Sequence, residues 1–426
     1  MKPVRFIHCA DLHIDTPFKG ISEIHPELKE LLHQSTYQSF NNIVDLAIKE
    51  RVDCIVIAGD IYDSEDKSLR AQLKFRDSLV RLSEYGIQAF VVYGNHDPLS
   101  GWSAKLEWPA GVHRFLGENV ECIPLLRHGE VVAKVYGISF AKSDIKENLA
   151  LKFPKADKGI PCIGLLHANV GGNMAHDPYS PCAVEELSLT GMEYWALGHV
   201  HTYEILKPAN PAIVYPGCSQ SRNQREVGPK GCCLITLELG NDPIIEFIPT
   251  DIVRYKSDFV NISSCQSIDD IISSIIEKCQ AISDELNKRG SIIHLALKGR
   301  TDLNKELQKG NSASGILDDV REHFAGNDPW IWLEKLVLGT AGNYDVDELR
   351  QGNNLVADII SIFDELESAK GQNLEELREV LKPLFIEWRG SKYLEELADN
   401  ELLQLASESR GKLLDELVTN ERDATT

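Results

Sequence analysis

Up to about residue 250 the chain alternates short apolar runs with amphipathic stretches. The runs fall at 4–9, 54–58, 89–93, 131–138, 160–166, 194–197, 212–215 and 232–237. Together they are short, rich in β-branched or aromatic residues and punctuated by Gly or Pro, which predicts buried strands. Between them, 38–50 and 69–85 carry apolar residues at helical spacing. Strands alternating with helices predict a mixed α/β domain over residues 1–250.

The texture changes over 251–340. Strands are predicted at 257–262, 292–298 and 330–339, and helices at 267–288 and 316–324, giving a small α/β module with its own core. Gly339-Thr340-Ala341-Gly342-Asn343 reads as a linker. Residues 341–426 form a helical region, with helices predicted at 355–366, 374–388, 392–398 and 402–418. Leu374, Leu377, Leu381, Leu384 and Phe385 make one apolar stripe; Leu403, Leu413 and Leu417 make a looser one. Such stripes are first intramolecular core and second a face for a partner.

Composition changes this picture little. The 426 residues are 43% hydrophobic and 26% charged, ordinary for a globular protein with a sizeable core. No apolar stretch is long enough to span a bilayer. The N-terminal residues run straight into a strand without a secretory apolar segment, so a cytoplasmic location is the default. The ten cysteines are scattered and form no Cys-x-x-Cys pair, which predicts reduced thiols and no thiolate zinc site.

Charge matters more. The net charge is -21. Residues 1–250 carry 24 Lys and Arg against 31 Asp and Glu; residues 251–426 carry 20 against 34. Phosphate binding is driven by Lys and Arg. A nucleic acid substrate would therefore need a local basic patch or a partner to hold it.

Candidate chemistry gathers where the apolar runs stop. The first ends in His8-Cys9-Ala10-Asp11-Leu12-His13, and in an extended segment Asp11 and His13 face one side. The second ends in Gly59-Asp60 and the third in Gly94-Asn95-His96-Asp97. A later run ends at His167, and another in Gly198-His199-Val200-His201. Asp11, His13, Asp60, Asn95, His167, His199 and His201 offer seven nitrogen or oxygen ligands. That is too many for one transition metal and suits two. The mix favours borderline or hard ions such as manganese, iron or zinc. Two such ions form a hydrolytic clamp for phosphoryl chemistry.

The ordered set, with "HCADLHIDTPF", "GDIYD", "YGNHD", "GHVH" and "YPGCSQSRNQREVGPKG", resembles the calcineurin-like metallophosphoesterases. Within them it is similar to the SbcD-type DNA repair nucleases, and most of all to the bacterial YhaO subgroup. The likeness spans residues 8 to about 231. It implies a four-layer αββα sandwich followed by a small α/β cap and a C-terminal helical region. It implies a phosphodiesterase acting on DNA, an exo- or endonuclease, with two divalent ions, manganese foremost and iron, zinc or magnesium as alternatives. Asp11, His13 and His201 would hold one ion, Asn95, His167 and His199 the other, and Asp60 would bridge them. His96 would be general acid or transition-state stabiliser, oriented by Asp97. His8 stays structural, and Asp15 and Asp63 are second-layer residues or ordinary turn carboxylates. SbcD-type nucleases commonly carry His soon after the Gly-Asp motif, where this chain has Ile61-Tyr62-Asp63-Ser64. Arg222 and Arg225 are candidate donors to a substrate phosphate. The likeness also implies DNA contact by the cap, where Lys298-Gly299-Arg300 is one basic spot. It further implies docking of the C-terminal helices on an SMC-like coiled-coil ATPase, and possible homodimers. Two other functions fit the same ligands: hydrolysis of nucleotides or other small phosphodiesters, and non-catalytic scaffolding at DNA ends.

Overall fold

The computed structural model describes residues 2–16, 26–63, 67–172, 177–287, 289–368, 372–386 and 397–423. They cluster into two compact units. The first comprises residues up to Lys256 with Ile282–Ile292 and Gly326–Glu334. The second comprises Ser257–Ala281, Ile293–Ala325 and the chain from Lys335 on.

In the first unit the elements run β1 (Val4–Cys9), α1 (Pro26–Glu50), β2 (Cys54–Ala58), α2 (Leu69–Glu84), β3 (Gln88–Val92), β4 (Val112–Arg114), β5 (Glu121–Arg127), β6 (Glu130–Gly137) and β7 (Cys162–His167). They continue with α3 (Val184–Ser188), β8 (Tyr194–Gly198), β9 (Glu204–Lys207), β10 (Ala212–Tyr215), β11 (Gly231–Leu237) and β12 (Ile244–Pro249). Two six-stranded sheets form, ordered β12-β11-β1-β2-β3-β4 and β5-β6-β7-β8-β10-β9. Strands β1 to β4 are mutually parallel, as are β6, β7, β8 and β10.

Alternation within each strand decides the layers. Phe6, Val56, Phe90 and Val92 point into a core shared with Val135, Ile163, Leu165, Tyr194 and Val214 of the other sheet. Each such side chain, fully buried, contributes on the order of 2 kcal/mol. The opposite face of the first sheet, including Ile7, Ile55, Ile57 and Val91, packs on Phe40, Val44, Phe75 and Leu79 of α1 and α2. The outer face of the second sheet packs Trp195, Leu197 and Ile213 against Leu149, Phe153 and Leu187. Strands buried on both faces read as unbroken apolar runs. That is why the central strands stand out in the sequence while the edge strands β4, β5, β9 and β12 do not.

Parallel strands send their carboxyl ends to one edge, where α/β folds carry their sites. Here the ends of β1, β2, β3, β7 and β8 meet. The sheets approach tightly at Gly198, where an added Cβ would stand 1.9 Å from the carbonyl oxygen of Ala58. A backbone neighbour cannot swing aside, and overpacking a tight core costs about 1–3 kcal/mol or more. Gly198→Ala is therefore expected to lower unfolding stability by about 3 kcal/mol in urea titrations of metal-free protein. Native stability in that variant would show that the close approach relaxes freely.

A three-stranded sheet is ordered β13 (Val253–Asn261), β14 (Gly290–Thr301), β15 (Ile331–Gly342), with α4 (Ile268–Glu285) between the first two and α5 (Asn304–Leu307) and α6 (Ser312–His323) before the last. The expected linker is not one: Gly339 to Gly342 belong to β15. Gly342 is held at both polar groups, its N–H donating to Asp415 Oδ1 at 2.7 Å and its carbonyl accepting from Arg300 Nη1 at 3.1 Å. Lys298 lies 4.6 Å from the Phe259 ring centre, and Arg300 stacks on Tyr344 at 4.9 Å, so both expected basic residues are partly committed within the unit.

Among the described residues four helices follow: α7 (Val346–Arg350), α8 (Leu355–Ser368), α9 (Gln372–Ile386) and α10 (Asp399–Asp423). Val356 and Ile360 of α8 pack on Leu414 and Val418 of α10. The buried face of α10 is thus Leu402, Ala406, Leu414 and Val418; of the expected stripe, Leu417 sits at its margin and Leu413 is 38% exposed. The helix expected at 392–398 lies mostly outside the described residues. Among the described residues no helix is long and apolar enough to cross a membrane.

Candidate metal centre

The loops after the parallel strands are strapped together by their backbones. Asp11 N donates to Gly59 O at 3.0 Å and His13 N to Asp60 O at 3.0 Å, joining the first two loops. His199 N lies 3.1 Å from both carboxylate oxygens of Asp11, joining the first to the last. Asp11, His13, Asp60 and His199 all adopt positive φ, at 50°, 43°, 50° and 104°. Asp11 and His13 therefore reach one place through left-handed turns, not through the extended alternation expected of them. Such backbone is costly for residues with side chains and gathers at functional sites.

Among the described residues three groups of ligand atoms lie within 4.8 Å of one another: Asp11, His13 and His201; Asp11, Asp60 and His167; and, toward the rim, His13, Asp63 and His96. His13 Nε2 faces His201 Nε2 at 3.4 Å. His201 Nδ1 lies 2.9 Å from Glu226 Oε1; the carboxylate accepts, so Nδ1 carries the proton and Nε2 keeps its lone pair. In the second group, His167 Nδ1 donates to the Ala58 carbonyl at 2.8 Å. Its Nε2 then meets Asn95 Oδ1 at 3.0 Å and Asp60 Oδ2 at 3.4 Å. His199 Nε2 donates to the Asp177 carbonyl at 2.9 Å, leaving Nδ1 as its other ring nitrogen. Lone pairs and carboxylates turned on one another repel unless a proton or cation lies between them. This donor set fits divalent cations bound by nitrogen and oxygen.

Electrostatics point the same way. Burial, helped by the Arg222 charge, holds His13 down at about 3, so the ring is neutral, as a ligand must be. Burial pushes Asp11 up to about 6. Burial would also raise Asp60, but the charge and hydrogen bond of His167 outweigh it and hold that carboxylate well below its ordinary range. Burial would lower His167, yet Asp60 and then Asp11 lift it to about 9. In the metal-free chain a proton on His167 offsets the two carboxylates.

Gly94 is required by space: a Cβ there would lie 2.3 Å from Asp60 Oδ1 and 2.8 Å from His167 Nε2. His96 N donates to Asp60 Oδ1 at 3.0 Å, and its ring stands at the rim, 40% exposed. Asp97 does not aim that ring. Its carboxylate is fully buried and accepts from the backbone N–H groups of Gly94 (2.7 Å), Ile61 (2.7 Å) and Tyr62 (3.4 Å), pinning the third loop to the second. The aiming falls to Asp63, whose carbonyl accepts from His96 Nδ1 at 3.1 Å. His8 is buried between Tyr194 Oη and the Leu197 carbonyl, away from the ligand groups. Asp15 pairs with His33 at 2.8 Å and accepts from Ser68 Oγ at 2.6 Å.

Arg222 is not the free donor expected. Its Nη1 bonds Asp63 Oδ1 at 2.8 Å, its Nη2 meets Glu226 Oε1 at 3.3 Å, and the side chain is only 13% exposed. Arg225 is exposed. Glu226 was missed in the sequence, whereas Asp63, read there as a second-layer residue or an ordinary turn carboxylate, lies behind His13 and bonds Arg222. The one signal for Glu226 was a lone acid within a loop of Gly, Pro, Arg and Asn.

Two packed sheets with a nitrogen-and-oxygen metal centre at the carboxyl ends of their strands define a metallophosphoesterase. The chain belongs to the calcineurin-like metallophosphoesterase family. The calcineurin-like phosphoesterase model matches residues 4–203, and the model of the metallophosphoesterase YhaO middle domain matches residues 259–341. An uncharacterized metallophosphoesterase YhaO from Bacillus subtilis is 34% identical over 334 residues, 78% of this chain and 80% of that one. The DNA double-strand break repair protein Mre11 of Sulfurisphaera tokodaii is 27% identical over 330 residues, 73% of this chain and 79% of that one. Its counterpart from Sulfolobus acidocaldarius is 26% identical over 338 residues, 75% and 81% of the two chains.

Proposed function

We propose that the chain is a two-metal phosphodiesterase acting on DNA, as an exo- or endonuclease in repair or end processing. The observation that carries this reading is the likeness to DNA repair proteins named Mre11, which extends over 73% of the chain and so beyond the phosphoesterase match at 4–203. A hydrolase of small esters has no need of the added module and helices.

Asp11, His13 and His201 would hold one ion, Asn95, His167 and His199 the second, and Asp60 would lie between them. Bound there, two divalent ions would supply Lewis acidity and an activated water. The chain's own groups do the rest. The Asp63 carbonyl fixes the tautomer of His96 with the proton on Nδ1, so Nε2 is the nitrogen turned to substrate. A doubly protonated His96 would give a proton to the leaving oxygen or stabilise its charge. Asp97 acts through the loop that carries His96, and exposed Arg225 is the remaining candidate for a substrate phosphate.

The net charge of -21 and the commitments of Arg222, Lys298 and Arg300 weigh against an unaided grip on a polyanion. This supports delivery of DNA by a partner, an SMC-like coiled-coil ATPase docked on the C-terminal helices, with homodimers possible and manganese the first metal to test. Metal-free protein reloaded with manganese is expected to cleave linear duplex or single-stranded DNA. Hydrolysis of bis-p-nitrophenyl phosphate without DNA cleavage, even with the ATPase added, would favour small phosphodiesters instead. Neither activity, with phenotype unchanged in a His96→Ala strain, would favour a scaffold.

A further inference from the structure

We propose that Glu226, Arg222 and Asp63 form a positioning brace for one metal position only, the one taking His13 and His201; the inference rests on the two-metal reading above. Glu226 Oε1 accepts from His201 Nδ1 at 2.9 Å, on the far side of the ring from the nitrogen that faces His13. Its other oxygen accepts from the backbone N–H of Arg222 at 2.7 Å, which fixes the carboxylate plane. Arg222 Nη2 also lies 3.2 Å from His201 Nδ1. Two donors cannot bond each other, so the shorter contact with Glu226 governs the ring. Asp63 Oδ1 stands 3.1 Å from His13 Nδ1, close but not aligned for a hydrogen bond. One guanidinium touches both carboxylates. Without it, two acids would stand half-buried and like-charged beside Asp11 and Asp60.

The other position is built differently. His167 and His199 rest their far nitrogens on neutral carbonyls, those of Ala58 and Asp177. A carboxylate behind an imidazole raises its basicity and locks its tautomer more than a carbonyl does, and loss of such a partner typically weakens a metal site about 10–100-fold. The two positions should therefore differ in affinity, and the brace should govern one of them.

The test titrates manganese into metal-free native protein, Glu226→Gln and Glu226→Ala, reading stoichiometry and affinity by calorimetry and by the signal of free manganese. The native chain is expected to take two equivalents. Glu226→Ala should keep one at native affinity and bind the other about 10–100-fold more weakly. Glu226→Gln, which keeps the shape and the acceptor but not the charge, should fall between. Two equivalents at native affinity in both variants would overturn the brace. So would equal weakening of both sites, which marks a general loosening. If Glu226→Ala melts early without metal, the isosteric Gln variant decides by the same criteria. A native chain that takes up fewer than two equivalents overturns the two-metal reading itself, and this inference with it.

Discussion

His96→Ala is expected to lower turnover of a phosphodiester by about 10²–10⁴-fold, the usual contribution of a general acid, while leaving metal content unchanged. The reason lies in how the residue is held. Its backbone N–H is fixed on Asp60, its Nδ1 on the Asp63 carbonyl, and the ring is among the more accessible groups at the site's rim. Removing the ring deletes a proton donor and no ligand of the two principal groups. The alternative is that His96 is itself a ligand, since His13, Asp63 and His96 also gather within 4.8 Å. Metal analysis separates the two. Two equivalents with turnover lost supports the acid role; loss of an equivalent makes His96 a ligand. Turnover within tenfold of native would remove His96 from the chemistry.

Much of this site was legible because each ligand follows an apolar run that could only be a central strand. Parallel strands ending together bring Asp11, Asp60, Asn95, His167 and His199 to one edge whatever the loop details. What the sequence hid depends on loop backbone. Asp97 follows His96 directly, and adjacency made it the natural partner of that ring. Yet its carboxylate is spent on three amides of two loops, because buried N–H groups at a turn must be satisfied. Arg222 was read as a phosphate donor because a charged residue in a Gly- and Pro-rich loop is usually solvated. Folding that loop over His201 buries it between two acids instead. The linker at 339–343 failed for a related reason: small residues resemble a hinge, but Arg300 and Asp415, remote in sequence, hold them in a strand. α1 begins at Pro26, well before the periodicity at 38–50 announced it, since only its later turns pack on the first sheet with Phe40, Ile43, Val44 and Ala47.

Asp60→Asn should have the broadest effect, removing both metals without removing the fold. The carboxylate is buried, accepts the His96 amide through Oδ1 and lies 3.4 Å from His167 Nε2 through Oδ2. Asparagine keeps the size and one acceptor, so the backbone bond to His96 survives. It loses the charge that a position between two cations needs most. Manganese bound after dialysis is expected to fall from two equivalents to less than one, and turnover by at least about 10³-fold, the upper order for removing one preorganised electrostatic group. His167 supplies an independent readout. In the metal-free native chain Asp60 and Asp11 hold its proton up to about 9 against the pull of burial. With Asp60 neutral, the largest of those supports is lost and the ring should lose its proton at lower pH, visible as a shifted imidazole titration by NMR. The sign also fixes stability. A group whose folded value is raised contributes stability that is full below its unfolded value near 6.5 and is lost as pH rises through 9. The metal-free native chain should therefore lose stability across that window, and the metal-free Asp60→Asn chain should lose less. Retention of both metals by Asp60→Asn would mean that the carboxylate does not bridge them.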